Sequence, residues 1–330
     1  MAIALRIVVF LLGLGFVSFP AAGQEKTRLF LGASSKTLGY SPLWVATKQG
    51  FFDQQGLDVQ LLLMKGPTMA VQALAAGSLQ VSCTSPENFI EATDRGFDLP
   101  VIGGVINGLT HYIIAGKKYK SYEDLRGATV GASSLTSGGT STALKQALKV
   151  KAGLEYPRDY RILVIAGGSS ANLAALQSGQ IAATAVAVPL NYLAEEAGFN
   201  TIGRLIDAVP DYQQTAMATK RSWAEKNRAV MVRFMKAYVH GIHWLYENKE
   251  AATNFLSKEM NLKPESARKG WEYYTQNRIW HPDGDLTLEG IKYIMKIHAE
   301  LAGAKGPPPS PTKYVDQSYL YEGLKELKNR

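Results

Sequence analysis

The chain has 330 residues, 46% hydrophobic and 19% charged, with 36 Lys and Arg against 28 Asp and Glu for a formal net charge of +8. That length suits about two domains with a sizeable core, and the composition excludes disordered and collagen-like classes. The single cysteine, Cys83, excludes an intramolecular disulfide. The basic residues are dispersed and no helix-turn-helix, zinc-finger or RNA-binding signature is present, so nucleic acid is not an expected partner.

In chain order, Arg6 precedes an apolar run from Ile7 to Phe19, followed by Pro20-Ala21-Ala22-Gly23. A basic start, an apolar stretch of about 13 residues and a small-residue exit predict a secretory signal peptide over 1–23, cleaved before Gln24. The run is shorter than the roughly 20 residues of a membrane span. The first residue after the cleavage point is Gln24 and Cys83 lies far beyond it, so no lipid anchor is expected.

From Thr27 the pattern alternates between strand and helix. Strands are predicted at 29–33, 57–64, 79–84 and 101–105, and helices at 42–52, 68–76 and 86–95. A second unit follows Lys120. Its strands are predicted at 129–132, 161–165, 181–186 and 201–206, and its helices at 140–152, 171–177 and 190–196. Repeated β-then-α order predicts parallel-rich sheets wrapped by helices. A long amphipathic helix is predicted from Arg221 to Tyr246, with Met231, Phe234, Met235, Tyr238, Val239 and Ile242 at helical spacing. Helices at 249–259, 264–277, 287–301 and 317–328 complete the chain, with Gly306–Pro311 as a stiff connector.

An internal echo organises this list. Gly32-Ala33-Ser34-Ser35 recurs as Gly131-Ala132-Ser133-Ser134. Ala73-Leu74-Ala75-Ala76-Gly77 recurs as Ala175-Leu176-Gln177-Ser178-Gly179, in the same order and at nearly the same spacing. Two lobes built alike are the expectation. The apolar runs Tyr112–Gly116 and Thr215–Thr219 read as the strands crossing between them. Lobe 1 then comprises 24–112 and 217–330, and lobe 2 comprises 113–216. Ligands in such sheets bind at strand-to-helix loops.

Those loops supply the candidate ligand-binding residues. In lobe 2, Ser133, Ser134, Thr136, Ser137, Gly138 and Thr140 lead into a helix, where hydroxyls and unpaired N–H groups converge. An ordinary capped polar loop is the competing reading. Ser34, Ser35 and Tyr40 occupy the matching loop of lobe 1, with Trp44 as an aromatic wall or as core packing. Lys65 and Pro67 follow a strand, Lys65 being either an anion partner or simply solvated. Thr84, Ser85, Glu87 and Asn88 form a third lobe-1 loop. Ser169, Ser170 and Asn172 oppose it, and Pro189 ends a strand. His240 and His243 share a helix face without a third zinc ligand. Cys83 lies in an apolar strand and reads as a small core residue.

Gly39-Tyr40-Ser41-Pro42-Leu43-Trp44-Val45-Ala46-Thr47-Lys48-Gln49-Gly50-Phe51-Phe52, followed by Gly56-Leu57-Asp58-Val59, resembles the opening of periplasmic solute-binding proteins of ABC importers. The branch is the one for nitrate, sulfonates, taurine and the thiamine pyrimidine precursor. Asp124-Leu125-Arg126-Gly127 and the two AL-x-x-G segments agree with it. The resemblance implies an α/β, two-lobed, type II-like periplasmic binding protein with a ligand cleft between the lobes. It implies capture of a small anionic or polar heterocyclic solute, delivery to an inner-membrane ABC permease, a monomer, a periplasmic location and no cofactor. The alternatives are a thiamine-pyrimidine-synthase-like enzyme on the same fold, or a sensory binding protein. One branch of the family makes the pyrimidine from its own histidine in the first loop and has a cysteine-rich motif. Residues 32–44 contain no histidine and Cys83 stands alone, so no enzymatic activity is expected.

Overall fold

The computed structural model describes residues 25–133, 135, 139–165, 167–301, 303, 306 and 309–329. The expected signal peptide and its cleavage point lie outside these residues, as do the candidates Ser134, Thr136, Ser137 and Gly138. No helix among the described residues is long and apolar enough to cross a membrane.

The first stretch runs β1 (Thr27–Ala33), α1 (Ser41–Lys48), α2 (Phe51–Gln54), β2 (Leu57–Leu63), α3 (Pro67–Ala75), β3 (Val81–Thr84), α4 (Pro86–Asp94) and β4 (Val101–Asn107). The middle stretch runs β5 (His111–Ala115), β6 (Thr129–Ala132), α5 (Gly139–Ala152), β7 (Arg161–Val164), α6 (Gly168–Gln177), β8 (Ala183–Ala187), α7 (Leu190–Glu196) and β9 (Asn200–Arg204). The last runs β10 (Gln213–Thr219), α8 (Arg221–Lys226), α9 (Arg228–Glu247), α10 (Lys249–Glu259), α11 (Pro264–Gln276), α12 (Leu288–Leu301) and α13 (Ser318–Lys328).

The strands form two five-stranded sheets, ordered β2-β1-β3-β10-β4 and β7-β6-β8-β5-β9. In each, a central strand pairs in parallel with two neighbours: β1 with β2 and β3, β6 with β7 and β8. Each sheet then takes one antiparallel strand, β10 or β5, from the far side of a crossing. The two crossing runs expected from sequence therefore each lie within one sheet, β5 in the second and β10 in the first. The chain changes sheet in the short links 108–110 and 205–212. These links are tied side by side: the Gly108 N–H donates to the Tyr212 carbonyl at 2.7 Å, and the Thr110 N–H to Gln214 Oε1 at 3.1 Å. The links are short because each antiparallel strand starts almost as soon as the chain enters its sheet.

Local chemistry sets the element ends. Proline in the first turn opens α1, α3, α4 and α11, where its missing N–H is no loss. The helix predicted over 42–52 is split in two, because Gly50 takes a left-handed φ of 74° between α1 and α2. The long helix predicted from Arg221 is likewise divided at Asn227 into α8 and α9. Helix α9 buries Met231, Phe234, Met235, Tyr238, Val239 and Ile242 against the first sheet and α1. The hydroxyl of Tyr238 donates to the Gly104 carbonyl at 2.8 Å, which satisfies its one buried polar group. A second core cluster joins the sheets: Phe89 and Ile90 of α4 and Val101 of β4 pack in one group with Ile113 of β5, Val130 of β6 and Leu144 of α5.

Candidate functional site

The carboxyl end of β6, the middle of β8 and the first turns of α5 and α6 converge on a cavity of about 60 Å³. It is lined by Gly131 in β6 and Ser133 just after it, Thr140 and Ser141 on α5, and Gly168, Ser169 and Asn172 on α6. Thr184 of β8 and His111 of β5 complete the wall. The sequence folds this way because Gly131 lets the β8 side approach. A Cβ there would sit 2.5 Å from Ile181 Cδ1. Two helix N-termini aimed at one space present backbone N–H groups that no helical carbonyl satisfies.

Several lining hydroxyls already have protein partners. Ser133 Oγ and Ser141 Oγ share a hydrogen bond of 2.9 Å. The Thr184 hydroxyl donates to the Gly131 carbonyl at 3.0 Å, and Ser169 Oγ accepts from the Ala187 N–H at 3.0 Å. Two side chains differ. His111, 8% exposed, has no partner for Nδ1, and Asn172, 6% exposed, has none for Oδ1. A buried polar atom left unbonded costs about 1–3 kcal/mol, and both of these side chains line the cavity. Among the described residues, no Lys, Arg, Asp or Glu lines the cavity. Burial pushes the His111 imidazole down to about 4, so it is neutral at physiological pH and offers one donor and one acceptor.

Of the sequence candidates, the cavity gathers Ser133, Thr140, Ser169 and Asn172. Ser170, its neighbour, is exposed on α6 and does not line it. In the first lobe, Ser34 Oγ and Tyr40 Oη are 2.9 Å apart and Tyr40 is buried, its hydroxyl pushed up to about 12 by desolvation. Ser35 is half-buried in the same loop. Trp44 packs in the core, with the Lys36 ammonium 5.9 Å from its ring centroid. Lys65 and Pro67 are exposed at the start of α3. Thr84 is buried at the end of β3, and Asn88 lines an outer groove between α3 and α4 instead of the cavity. Pro189 is buried at the start of α7, close to where a Cβ on Gly270 of α11 would lie, at 3.5 Å.

His111 is the residue that sequence reasoning missed. It sits at the head of an apolar strand, and only its place beside the crossing link marked it. Glu87, named in the third lobe-1 loop of the sequence, stands at the start of α4. Its carboxyl accepts from the hydroxyls of Ser85 and Tyr212, and burial pushes it up to about 7. A Cβ on Gly139 would collide with that same Tyr212 hydroxyl, so Glu87 lies one side chain away from the first turn of α5. Among the described residues, no group of three or more His, Cys, Asp and Glu is placed to hold a metal ion.

The chain belongs to the NMT1/THI5-like family, whose model matches residues 38–252. The formylaminopyrimidine-binding protein of Halalkalibacterium halodurans is 25% identical over 219 residues. The match covers 65% of this chain and 64% of the relative, so the chain spans just under two thirds of that protein's length. Among solved structures, the ligand-binding component of an ABC-type import system from Staphylococcus aureus superposes with a TM-score of 0.71 at 15% identity, covering 90% of this chain and 99% of that one. The periplasmic aliphatic sulphonate binding protein SsuA of Escherichia coli gives 0.67 at 17% identity, covering 89% and 99%. The fold is the two-lobed periplasmic binding protein fold.

Proposed function

We propose that this protein is the periplasmic solute-binding component of an ABC importer, holding one small polar solute between its lobes and passing it unchanged to an inner-membrane permease. The observation that carries this reading is the cavity at the α5 and α6 N-termini, where His111 and Asn172 are buried with unbonded polar atoms. Family membership and relatives named as binding proteins support it.

The moving bodies are the two sheets with their helices, β1–β4, β10, α1–α4 and α8–α13 against β5–β9 and α5–α7. Links 108–110 and 205–212 form the hinge. The lobe-2 loops hold the solute and the first-lobe loops around Ser34 and Ser85 cover it. Such capture needs differential affinity for two arrangements of the lobes and no nucleophile or general base. Small-angle scattering and mass spectrometry test it together. The protein should become more compact on taking up a solute from a bacterial metabolite extract, at one molecule per chain. Denaturation should release that molecule unaltered. A chemically changed product formed with turnover would favour the enzyme and overturn the binding reading.

A further inference from the structure

Helix α11 has two faces, and they meet different lobes. Its inner face is anchored in the first lobe. Ala267 and Tyr274 are buried in that core, and the Trp271 indole N–H donates to the Leu245 carbonyl at 2.7 Å. Its outer face touches the second lobe at several points. The rings of Tyr273 and Tyr112 lie 6.2 Å apart between centroids. A Cβ on Gly270 would stand 3.5 Å from Pro189 Cβ and 2.5 Å from Leu38 Cδ2, so the helix comes this close only as glycine. The Lys269 ammonium lies 5.5 Å from the Tyr192 ring centroid. Just before the helix, Lys263 Nζ is 4.0 Å from a Glu196 carboxylate oxygen. Val188, which precedes Pro189 in the second lobe, is buried with the first-lobe core.

Resting on the solute-binding reading, we infer that this outer face of α11 is a clasp, centred on Tyr273 and Lys269, that holds the two lobes in the closed arrangement and so slows release of the solute. The contacts fall on the closing side of the molecule. Leu38 follows β1 and Pro189 follows β8, so both stand beyond the carboxyl ends of parallel strands, the ends at which ligands sit. The row of contacts also runs outward from the hinge. Tyr112 is two residues beyond link 108–110 and Glu196 ends α7, and the helix between their partners is about 15 Å long. Rotation about the links therefore parts the whole row, its outer end most. Each contact is weak enough to release. Tyr112, Tyr192 and Tyr273 are only half-buried, and the Lys263–Glu196 pair is exposed on both sides and screened by water. A packed core on one face and light contacts on the other let α11 travel with the first lobe and let go of the second. A solute held between lobes leaves through the open arrangement, so contacts that favour closure enlarge the binding-competent fraction and strengthen retention by the same factor.

Zero-length carbodiimide cross-linking of the full protein tests this, because two lysine–carboxylate contacts report different things. Lys263 with Glu196 joins the lobes, whereas Lys249 with Glu272, at 3.2 Å, lies within the first lobe. Peptide mass spectrometry gives the yield of the first link relative to the second. Both links should form in the wild type, and the ratio should rise when a bacterial metabolite extract is added. Tyr273→Ala should lower the ratio about threefold or more, as for loss of an aromatic pair. Lys269→Ala removes a side chain outside the core, should lower the ratio by a smaller factor, and keeps the test valid if Tyr273→Ala fails to fold. A compound retained from the extract should leave both variants faster than the wild type, with its rate of uptake nearly unchanged. Absence of the cross-lobe link in the wild type, or a ratio that neither variant lowers, overturns the clasp. So does release at the wild-type rate from variants whose ratio has fallen. A ratio that falls in the variants, in a protein whose wild type retains nothing from the extract, supports the clasp as a contact between lobes and overturns the solute-binding reading instead.

Discussion

The loops after β1 and β6 start from the same sequence and end as different objects. Gly32 and Gly131 hold the same place in their sheets. A Cβ on either would lie 2.5 Å from a methyl of the residue entering the next parallel strand, Leu79 or Ile181. The next carbonyls also match: Ala33 accepts from Met64 and Ala132 from Ile165, both at 2.9 Å. The crossover helices α3 and α6 end alike, with Gly77 and Gly179 at φ of 81° and 76° and N–H groups donated back to Leu74 and Leu176. Beyond the serines the likeness stops. After β1 the chain makes a short turn at Leu38–Tyr40 and drives Leu38, Tyr40 and Trp44 into the core. After β6 it leads into a 14-residue helix whose first turn borders a cavity. The shared residues build the frame, and the residues that follow decide which copy becomes a site.

The largest expected contrast is in how the two lobes answer to pH. His111 titrates at about 4 in the folded protein against an ordinary 6.5. Between those values the unfolded chain holds more protons, so its contribution is fully present above about pH 6.5 and is lost as pH falls toward 4. The shift corresponds to roughly 3 kcal/mol. Glu87 in the first lobe has the opposite sign. Its folded value of about 7 lies above the ordinary 4.5, so its contribution is present below 4.5 and fades as pH rises through 7. Glu87 is partly open to solvent, so its effect should be the smaller of the two. Urea melts between pH 4 and 8 on the wild type, His111→Gln and Glu87→Gln read both. Identical pH profiles for His111→Gln and wild type would show that the imidazole is solvated.

Next in size is the matched glycine pair. Gly32→Val and Gly131→Val each force a side chain into a packed strand-to-helix junction and should each destabilise by about 1–3 kcal/mol. Thermal unfolding of the two variants should agree to within about 1 kcal/mol if the junctions are equivalent. A tolerated Gly131→Val beside a damaging Gly32→Val would break the equivalence of the two frames.

Much of this frame is legible in the sequence, because strand and helix periods and the repeated glycine segments are local signals. The repeat predicts two like-built lobes, and the matching positions in the two sheets bear that out. What sequence could not rank was the use of each loop. Ser34 and Ser133 look alike as letters, and so do Thr84 and Thr140. Whether a hydroxyl is spent inside the protein depends on partners from distant elements, such as Tyr40 for Ser34. The crossing segments were misread for a related reason. Tyr112–Gly116 and Thr215–Thr219 are strands by pattern, and only their pairing shows that the change of sheet happens before each of them. His111 stands at that junction, so the same misreading hid the site's most buried ionisable group.

The smallest effects sharpen the comparison most, because they set one serine against its counterpart. Ser34 bonds the hydroxyl of the buried Tyr40 at 2.9 Å, and its backbone N–H donates to the Cys83 carbonyl. Removing its hydroxyl by Ser34→Ala leaves Tyr40 short of a partner and should lower stability by about 1 kcal/mol. Ser133 is exposed at the cavity edge and shares its bond with Ser141. Ser133→Ala should change stability by no more than about 0.5 kcal/mol, as for surface positions generally. On the proposed function, the order reverses for solute retention. Ser133→Ala should weaken it by about 1 kcal/mol while Ser34→Ala changes it less. Chemical denaturation and retention of an extract-derived solute, measured on the same two preparations, give a crossed pattern if one loop is frame and the other site. Two serines that lose stability and retention in parallel would mean that the repeat extends from the frame into the chemistry, with both loops sharing the ligand equally.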